Sequence, residues 1–382
     1  MNAHAGIPTP APDHSAHAVY APSSAERWTR CTASAEGIAK LGERESLLSE
    51  GADEEGTQAH DEIDRILGQF NGKIAQPEEI RAAAKSLLDM DHPAAFGIAL
   101  TLDYVAKLPA GRLWVEQRVS LTDRIWGRCD IAHWHEESRV LTIVDYKNGY
   151  VGVDAIENEQ LSIYGLGTIY TRQLPALWVR LVVVQPNDFR PLPQVKQWNV
   201  SAEALRARAE PWALIPNGPK SFVPGEHCTY CPLFGLCPAS KDVLAQLAVA
   251  LANPPDRVPA HQASLFEAMK KPIADWFKAK AASDQTRMLK GEKLDGLKLI
   301  TATKHKQWRD EAKAKAEIFA AKGFAVLDAP TPAAAKKAGM TDEWLEAHSF
   351  KPDGGPAVAF ESDKGTPWVV KTGAEMFKDV PR

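Results

Sequence analysis

The chain has 382 residues and a formal net charge of −4 at pH 7; 45% of its residues are hydrophobic and 25% are charged. This length allows a sizeable core and two domains, and this composition excludes general disorder. No window approaches about 18 consecutive apolar residues, and the start lacks the basic and apolar regions of a signal peptide. We therefore expect a cytoplasmic protein without a membrane span.

The negative net charge does not exclude nucleic-acid binding, because charge is segregated along the chain. Residues 255–325 carry 15 Lys and Arg against 9 Asp and Glu, whereas the segment LGERESLLSEGADEEG is acidic. This pattern is compatible with one basic surface on an acidic protein. A solvated, lysine-rich helix face explains the basic segment equally well.

The N-terminal part reads as a leader followed by helices. The leader is rich in proline, and its three histidines are treated as incidental. Ser23 and Glu26 have the spacing of a capping box, which predicts a helix from 23 to about 50. Two further helices are expected at 54–70 and 77–90.

From residue 113 the hydrophobic period changes to two, which indicates strands. The runs RLWVEQRVSL, RIWGRCDIAHWH and RVLTIVDYKNG predict an antiparallel meander. A helix over 154–171, a strand LWVRLVVVQP and a short helix around 201–212 follow. These elements predict an α/β or α+β domain built on a central sheet.

The character of the sequence changes beyond about residue 255. A long helix starting at HQASLFEAMKK, a β-like run GLKLITA, another helix and a tail rich in Pro and Gly follow one another. The predicted organisation has three parts: a disordered leader at 1–22, a sheet domain with a cysteine cluster at 23–250, and a smaller, basic, mainly helical α+β accessory domain at 255–382.

The third strand of the meander carries an acid and a base in an apolar setting. Alternation places Asp145 and Lys147 on one face, and the preceding strand brings Asp130 close to Asp145. Two facing carboxylates repel unless a cation lies between them, and carboxylate oxygens are preferred ligands of Mg²⁺ and Mn²⁺. A solvated pair on an edge strand is the alternative, but the apolar run VLTIV favours a central strand.

These residues resemble the core of PD-(D/E)xK nucleases of the RecB type. The segment EEGTQAH resembles the G-T-x-x-H motif of that group, and ENEQLSIYGLG resembles its Q-x-x-x-Y helix. The four motifs occur in the expected order on these residues: His60 for G-T-x-x-H, Gly127 and Asp130 for G-x-x-D, Asp145 and Lys147 for D-x-K, and Gln160 and Tyr164 for Q-x-x-x-Y.

The resemblance implies a restriction-endonuclease-like central mixed sheet flanked by helices, and a metal-dependent reaction. It implies that Mg²⁺ or Mn²⁺ is held by His60, Asp130, Asp145 and a backbone carbonyl near Tyr146. Lys147 would position the attacking water or offset charge on the phosphate. Gln160 and Tyr164 would contact the substrate strand or brace Lys147. Glu116, on the first meander strand, is a further candidate whose alternative reading is an exposed strand residue.

Five cysteines give a second pattern. In a cytoplasmic chain they favour metal ligands or buried thiols over disulfides. HCTYCPLFGLCP spaces Cys228, Cys231 and Cys237 as C-x2-C-x5-C. In RecB-type and CRISPR-adaptation nucleases with an iron-sulfur cluster, one cysteine precedes the nuclease core and three follow it. The resemblance therefore implies a structural [4Fe-4S] cluster completed by Cys31, with Zn²⁺ as the alternative. Cys129 is predicted to be a buried core thiol.

Segments at both ends, APSSAERWTRCTAS and GLKLITATKHKQWRDEAKAKAE, also resemble phage and prophage proteins that join this nuclease core to a C-terminal extension. The resemblance implies a phage-encoded DNA nuclease, expected to be an exonuclease, acting in the host cytoplasm in DNA recombination. A recombinase or single-strand annealing protein would be its partner. Two alternatives stay open: a non-catalytic DNA-binding or scaffold protein that retains the nuclease fold, and a nuclease acting on RNA.

Overall fold

The chain divides into two compact units, Met1–Trp276 and Phe277–Arg382. The computed structural model describes residues 18–41, 50–85, 94–188, 190, 193–302, 305–322, 331–337, 339–352, 354–362 and 364–369. The division falls inside a helix, Ala260–Leu289, whereas the sequence places the domain boundary between residues 250 and 255. Most of the predicted leader, residues 1–17, lies outside the described residues.

The first unit is built on a six-stranded sheet in which the strands lie in sequence order. The fourth and fifth strands pair in parallel, and each of the other neighbouring pairs is antiparallel. The strands are β1 (Ile74–Ala75), β2 (Gly111–Ser120), β3 (Trp126–His135), β4 (Val140–Tyr146), β5 (Trp178–Val184) and β6 (Val195–Ser201).

Helices flank this sheet, and one of them makes the crossover between the parallel strands β4 and β5. The helices are α1 (Ala25–Arg30), α2 (Ser34–Ala39), α3 (Glu50–Leu67), α4 (Pro77–Ala84), α5 (Ala95–Val105), α6 (Glu159–Arg172), α7 (Ala202–Ala209), α8 (Pro238–Leu251) and α9 (Ala260–Leu289). The crossover helix α6 begins where the Asn158 side chain accepts a hydrogen bond from the Leu161 amide at 3.0 Å. The predicted mixed α/β sheet flanked by helices is confirmed.

The sheet is covered on both faces, as the alternation along β4 shows. Leu141 and Ile143 belong to a core that also contains residues of α1, α6 and α7. Val144 and Tyr146 belong to a second core that contains residues of α3, α4 and α5. A central strand covered on both faces reads as a continuous apolar run, so β4 is the buried strand that VLTIV predicts.

The structure differs from the sequence prediction at the N-terminal end. Residues 18–22 are packed rather than disordered, because Tyr20 is fully buried and its hydroxyl donates to Glu36 at 2.8 Å. The single helix predicted at 23–50 is wrong, since α1 ends at Arg30 and α2 begins at Ser34. The predicted capping box is also wrong, because the chain enters α1 through a 3-10 turn, Pro22–Ser24, without a side-chain cap.

Elsewhere the predicted elements hold, with shifted ends. Strands β2 to β5 and helices α3, α6, α7 and α9 lie where the sequence predicts them, although α6 begins at Glu159 rather than near 154. The end predicted for the helix at 77–90 lies outside the described residues. Helix α5 and strands β1 and β6 were not predicted.

The second unit is small. Its strands are β7 (Leu297–Thr301), β8 (Gln307–Trp308), β9 (Ser349–Phe350) and β10 (Pro356–Phe360), and its helices are α10 (Glu311–Lys322), α11 (Pro332–Lys337) and α12 (Asp342–His348). Strand β7 pairs with β10, and β8 pairs with β9. Ile318, Ala335 and Leu345 form a small core. Within the described residues of both units, no helix combines the length and apolarity that crossing a bilayer requires.

Candidate metal centre

Three acidic residues lie opposite one another on three neighbouring strands. The β2–β3 register pairs Val115 with Ile131 and Gln117 with Cys129, which sets Glu116 opposite Asp130. The β3–β4 register pairs Ile131 with Val144, so Asp130 in turn lies beside Asp145. Glu116, Asp130 and Asp145 thus form a row across β2, β3 and β4, and the next position, on β5, is the apolar Val183. The side-by-side placement of Asp130 and Asp145 is therefore as the sequence predicts.

The backbone is distorted where this row crosses β2. Glu116 has a φ of 48°, in the left-handed region that non-glycine residues rarely adopt. Before it, Leu113 and Val115 pack in one core layer, whereas Val119 packs in the other. The odd-numbered side chains of β2 therefore change from one face of the sheet to the other at Glu116. The carboxylate of Glu116 is carried by the residue at which this change occurs.

His60 reaches this row from helix α3. Its Nδ1 lies 3.5 Å from Oδ2 of Asp130 and 3.7 Å from Oε1 of Glu116. The three residues form a group whose ligand atoms all lie within 4.8 Å of one another. Neighbouring ligands of an octahedral cation with bonds of about 2.1 Å are about 3.0 Å apart. One imidazole and two carboxylates at this spacing could hold a metal ion.

The second half of the site is a hydrogen-bonded chain from β4 to α6. Lys147 Nζ lies 2.8 Å from Oδ2 of Asp145 and donates to Oε1 of Gln160 at 3.2 Å. The Gln160 amide donates to Oδ1 of Asp145 at 3.1 Å and to the hydroxyl of Tyr164 at 3.3 Å. Asp145 is 1% exposed, so these partners replace the water that its charge would otherwise require.

Tyr146 links the two halves. Its backbone amide donates to Oδ2 of Asp130 at 2.9 Å, and its ring meets the His60 ring edge to face at 5.6 Å between centroids. Its hydroxyl donates to Asn148 at 3.0 Å. Two consecutive residues at the end of β4 therefore serve the two halves: Tyr146 contacts His60 and Asp130, and Asp145 contacts Lys147.

The pKa values of the group reflect burial and crowded charges. Burial, and then the neighbouring charge of Asp145, raise the pKa of Asp130 to about 7. Burial alone would lower the pKa of His60, but the interactions with Glu116, Asp130 and Asp145 raise it to about 9. Burial would also lower the pKa of Lys147, yet Asp145 and Asp130 raise it. The clustered acids favour the cationic forms of His60 and Lys147, and the same negative charge would attract a metal cation.

The G-x-x-D glycine has a packing role beside the site. A Cβ on Gly127 would lie 2.8 Å from Cδ of Pro22, which is closer than side chains tolerate, and would make a tight contact of 3.2 Å with Cε1 of Tyr164. The 3-10 turn that contains Pro22 can therefore pack against β3 only where β3 has a glycine. A cleft of about 600 Å³ opens here, lined by this turn, His60, Glu116, Asp130 and Tyr164.

Four cysteines line one small cavity in the first unit. They come from the end of α1 and from the segment before α8: Cys31, Cys228, Cys231 and Cys237. Burial raises the pKa of Cys228, and the nearby Cys231, Cys31 and Cys237 raise it further. Among the described residues, however, no three of these sulfurs lie mutually within 4.8 Å. Cys129 is fully buried and apart from this cavity, as predicted.

Compared with the predicted site, the structure changes the grouping of residues. The predicted members lie in the middle of β2 and β3, at or just after the end of β4, and on helices α3 and α6. Glu116, a secondary candidate in the sequence, belongs to the histidine group, whereas Asp145 is engaged by Lys147 and Gln160. Sequence reasoning missed Asn148 and Gln185, whose only signal is a polar residue at the end of an apolar strand.

Comparison with known proteins gives a family and weak similarities to solved structures. The solved structure "Crystal structure of SSO0001" covers 48% of this chain and 84% of its own, with 16% sequence identity and a TM-score of 0.22, which is too low to establish a shared fold. Residues 17–366 match the family described as protein of unknown function (DUF2800). The chain belongs to this DUF2800 family.

Proposed function

We propose that this protein is a metal-dependent nuclease that hydrolyses phosphodiester bonds of DNA, acting as an exonuclease. The observation that carries the proposal is one juxtaposition. A histidine and two acids within 4.8 Å of one another adjoin a buried acid that is paired with a lysine at 2.8 Å. Cation ligands that line a cleft, together with a neighbouring ammonium group, suit the hydrolysis of a phosphodiester.

The donor set fits Mg²⁺ or Mn²⁺. His60, Glu116 and Asp130 would hold the ion, and we propose that Asp145 and the carbonyl of Tyr146 complete its ligands. Such an ion, when bound, polarises a phosphate and lowers the pKa of a water ligand. The imidazole favours support by Mn²⁺, because Mn²⁺ accepts nitrogen more readily than Mg²⁺ does.

The chain itself positions the remaining groups. Lys147 carries a positive charge, because Asp145 and Asp130 raise its pKa, and this charge would orient water or offset charge on the phosphate. Gln160 fixes the ammonium through a hydrogen bond of 3.2 Å, and Tyr164 in turn fixes Gln160. The Q-x-x-x-Y pair therefore braces Lys147, which is one of the two roles that the sequence offered.

The cysteine cavity supports a [4Fe-4S] cluster as a structural clasp. Cys31 is close to Cys228, Cys231 and Cys237 in space although nearly two hundred residues separate it from them, so a shared group would close a long loop. Zn²⁺ held by the same four thiolates is the alternative. Protein prepared without oxygen should be brown and absorb near 400 nm, and Cys231→Ala should abolish this absorbance. Stoichiometric zinc in a colourless preparation would refute the cluster.

A degradation assay tests the nuclease. Linear and circular DNA, and RNA of matched length, would be incubated with the protein and Mn²⁺ or Mg²⁺. We expect the linear DNA to be shortened from its ends, and we expect Asp145→Ala and Lys147→Ala to abolish this activity. Asp103→Ala and Lys107→Ala are matched controls, because these residues form an exposed ion pair at 2.6 Å at the C-terminal end of α5.

The outcomes distinguish the alternatives. Cleavage of RNA alone would identify a ribonuclease, and DNA binding without cleavage would identify a scaffold protein. Activity that persists in both site variants would show that another site is responsible. For an active DNA exonuclease, we propose a role in phage DNA recombination in the bacterial cytoplasm, where its single-stranded product would pass to a recombinase or an annealing protein.

A further inference from the structure

The loop between Lys147 and Gln160 is held from beneath by one buried side chain. Gln185 follows β5 and is fully buried. Its amide nitrogen donates to the carbonyls of Gly149 at 2.7 Å and Val151 at 2.8 Å, and its oxygen accepts from the amide of Val153 at 2.8 Å. Three backbone groups of a short segment are thus fixed by a single glutamine.

The glutamine is itself fixed in one orientation. Lys196 donates to its oxygen at 2.9 Å, and an ammonium group can only donate. The amide nitrogen must therefore face the two loop carbonyls. Lys196 also pairs at 2.6 Å with Asp188, whose side chain is 1% exposed. The clamp is a buried and satisfied polar network, which gives the loop a single backbone path.

The loop between Lys147 and Gln160 also exposes three large apolar side chains, beside the charged Asp154 and Glu157. Tyr150 is 68% exposed, Val151 58% and Ile156 65%. Single exposed apolar residues are ordinary on protein surfaces. Tyr150 and Val151 lie on the segment that Gln185 fixes, between two residues of the candidate site, which is typical of an element that contacts a ligand.

We propose that Tyr150 is a stacking platform for an unpaired base of a single-stranded nucleic acid held at the site, and that Gln185 is the residue that positions it. This inference rests on the proposed nuclease function. The platform is three residues from Lys147 along a fixed backbone, which suits the base next to the phosphate being cleaved. Stacking suits a nuclease without sequence preference, since every base has a π-face.

Fluorescence of 2-aminopurine in a single-stranded oligonucleotide tests the platform, because stacking on an aromatic ring quenches this base. Binding would be measured with Ca²⁺ in place of Mg²⁺ or Mn²⁺ to prevent cleavage. Tyr150→Ala should remove the quenching and weaken binding about tenfold, and should raise KM more than it lowers kcat in the Mn²⁺ assay. Tyr150→Phe, which keeps the ring, should restore both. Trp178→Ala is the matched control, since Trp178 is an aromatic residue that is 51% exposed and lies at the end of β5 opposite to Gln185.

The positioning role of Gln185 has its own readout. Gln185→Met should speed amide hydrogen exchange at Val153 and reduce the quenching of 2-aminopurine, because it removes the acceptor of the Val153 amide. Gln194→Met is the control and should change neither, because the hydrogen bond of Gln194 goes to Pro186, at 3.0 Å, and not to the loop. Cleavage by the wild type together with unchanged quenching and affinity in Tyr150→Ala would overturn this inference and leave the nuclease standing. A wild type that neither binds nor cleaves nucleic acid would overturn both.

Discussion

A buried histidine close to the site should make the stability of this protein sensitive to acid. His133 lies on β3, three residues after Asp130, and is 3% exposed. Its Nε2 lies 2.9 Å from the carbonyl oxygen of Pro109. Burial lowers the pKa of His133 from 6.5 to about 4, despite this hydrogen bond. The folded state therefore strongly favours the neutral ring.

The sign follows from linkage. Between pH 6.5, the pKa of His133 in the unfolded chain, and about pH 4, its pKa in the folded chain, only the unfolded chain binds a proton at this ring. The contribution of His133 to the free energy of unfolding is therefore complete above pH 6.5 and falls as the pH drops towards 4. The difference in pKa corresponds to about 3 kcal/mol in total, of which about 2 kcal/mol is lost between pH 7 and pH 5.

Urea unfolding of the wild type and of His133→Gln at pH 7, 6 and 5 measures this contribution. Glutamine retains a hydrogen-bond donor but does not titrate, so the variant should lose about 2 kcal/mol less than the wild type over this range. His135→Gln, on the same strand but only partly buried, should follow the wild type. Parallel profiles for the wild type and His133→Gln would refute the reasoning, because the ring would then titrate alike in both states.

Two further predictions concern the site. Gly127→Ala should destabilise the protein by about 1–3 kcal/mol in urea unfolding, because the new Cβ would lie 2.8 Å from Pro22. Gly149→Ala is the control, because a Cβ added there would have no neighbour within 4 Å. Equal destabilisation by the two substitutions would contradict the packing argument. Asp130→Asn should leave the metal-free protein as stable as the wild type or more so, because a buried charge is removed, yet it should abolish the rise in Tm that Mn²⁺ gives the wild type. Asp103→Asn is its control, and a variant that keeps the full rise would exclude Asp130 as a ligand.

Much of the sheet could be predicted because its strands have clear patterns. In the sequences of β2, β3 and β4, apolar residues either alternate with polar ones or form a continuous run, and polar turns separate the strands. These patterns favour strands over helices. Helix α5 was missed because its sequence, AFGIALTLDYV, is apolar on nearly every side and has no helical period. Strand β6 was missed because it is half-exposed and polar, VKQWNVS, and forms only through pairing with β5.

The candidate site could be predicted as a set of residues but not as an arrangement. Asp145 and Lys147 were found because charge is unexpected in a buried strand. The membership of Glu116 in the histidine group depends on its left-handed backbone, which no local sequence signal requires. Gln185 acts on a loop more than thirty positions earlier in the chain, and only the parallel pairing of β4 with β5 brings the two together.

The backbone at Glu116 gives an argument for a cation that does not depend on any motif. A φ of 48° at a glutamate inside a strand costs on the order of 1–3 kcal/mol and persists only where the surroundings impose it. Here it sets a third carboxylate beside Asp130, which already faces Asp145 and whose pKa burial and that neighbour raise to about 7. Backbone strain at Glu116 thus coincides with charge repulsion between neighbouring carboxylates. A bound cation would offset both costs, which supports the group formed by His60, Glu116 and Asp130 as the place where a metal ion could bind.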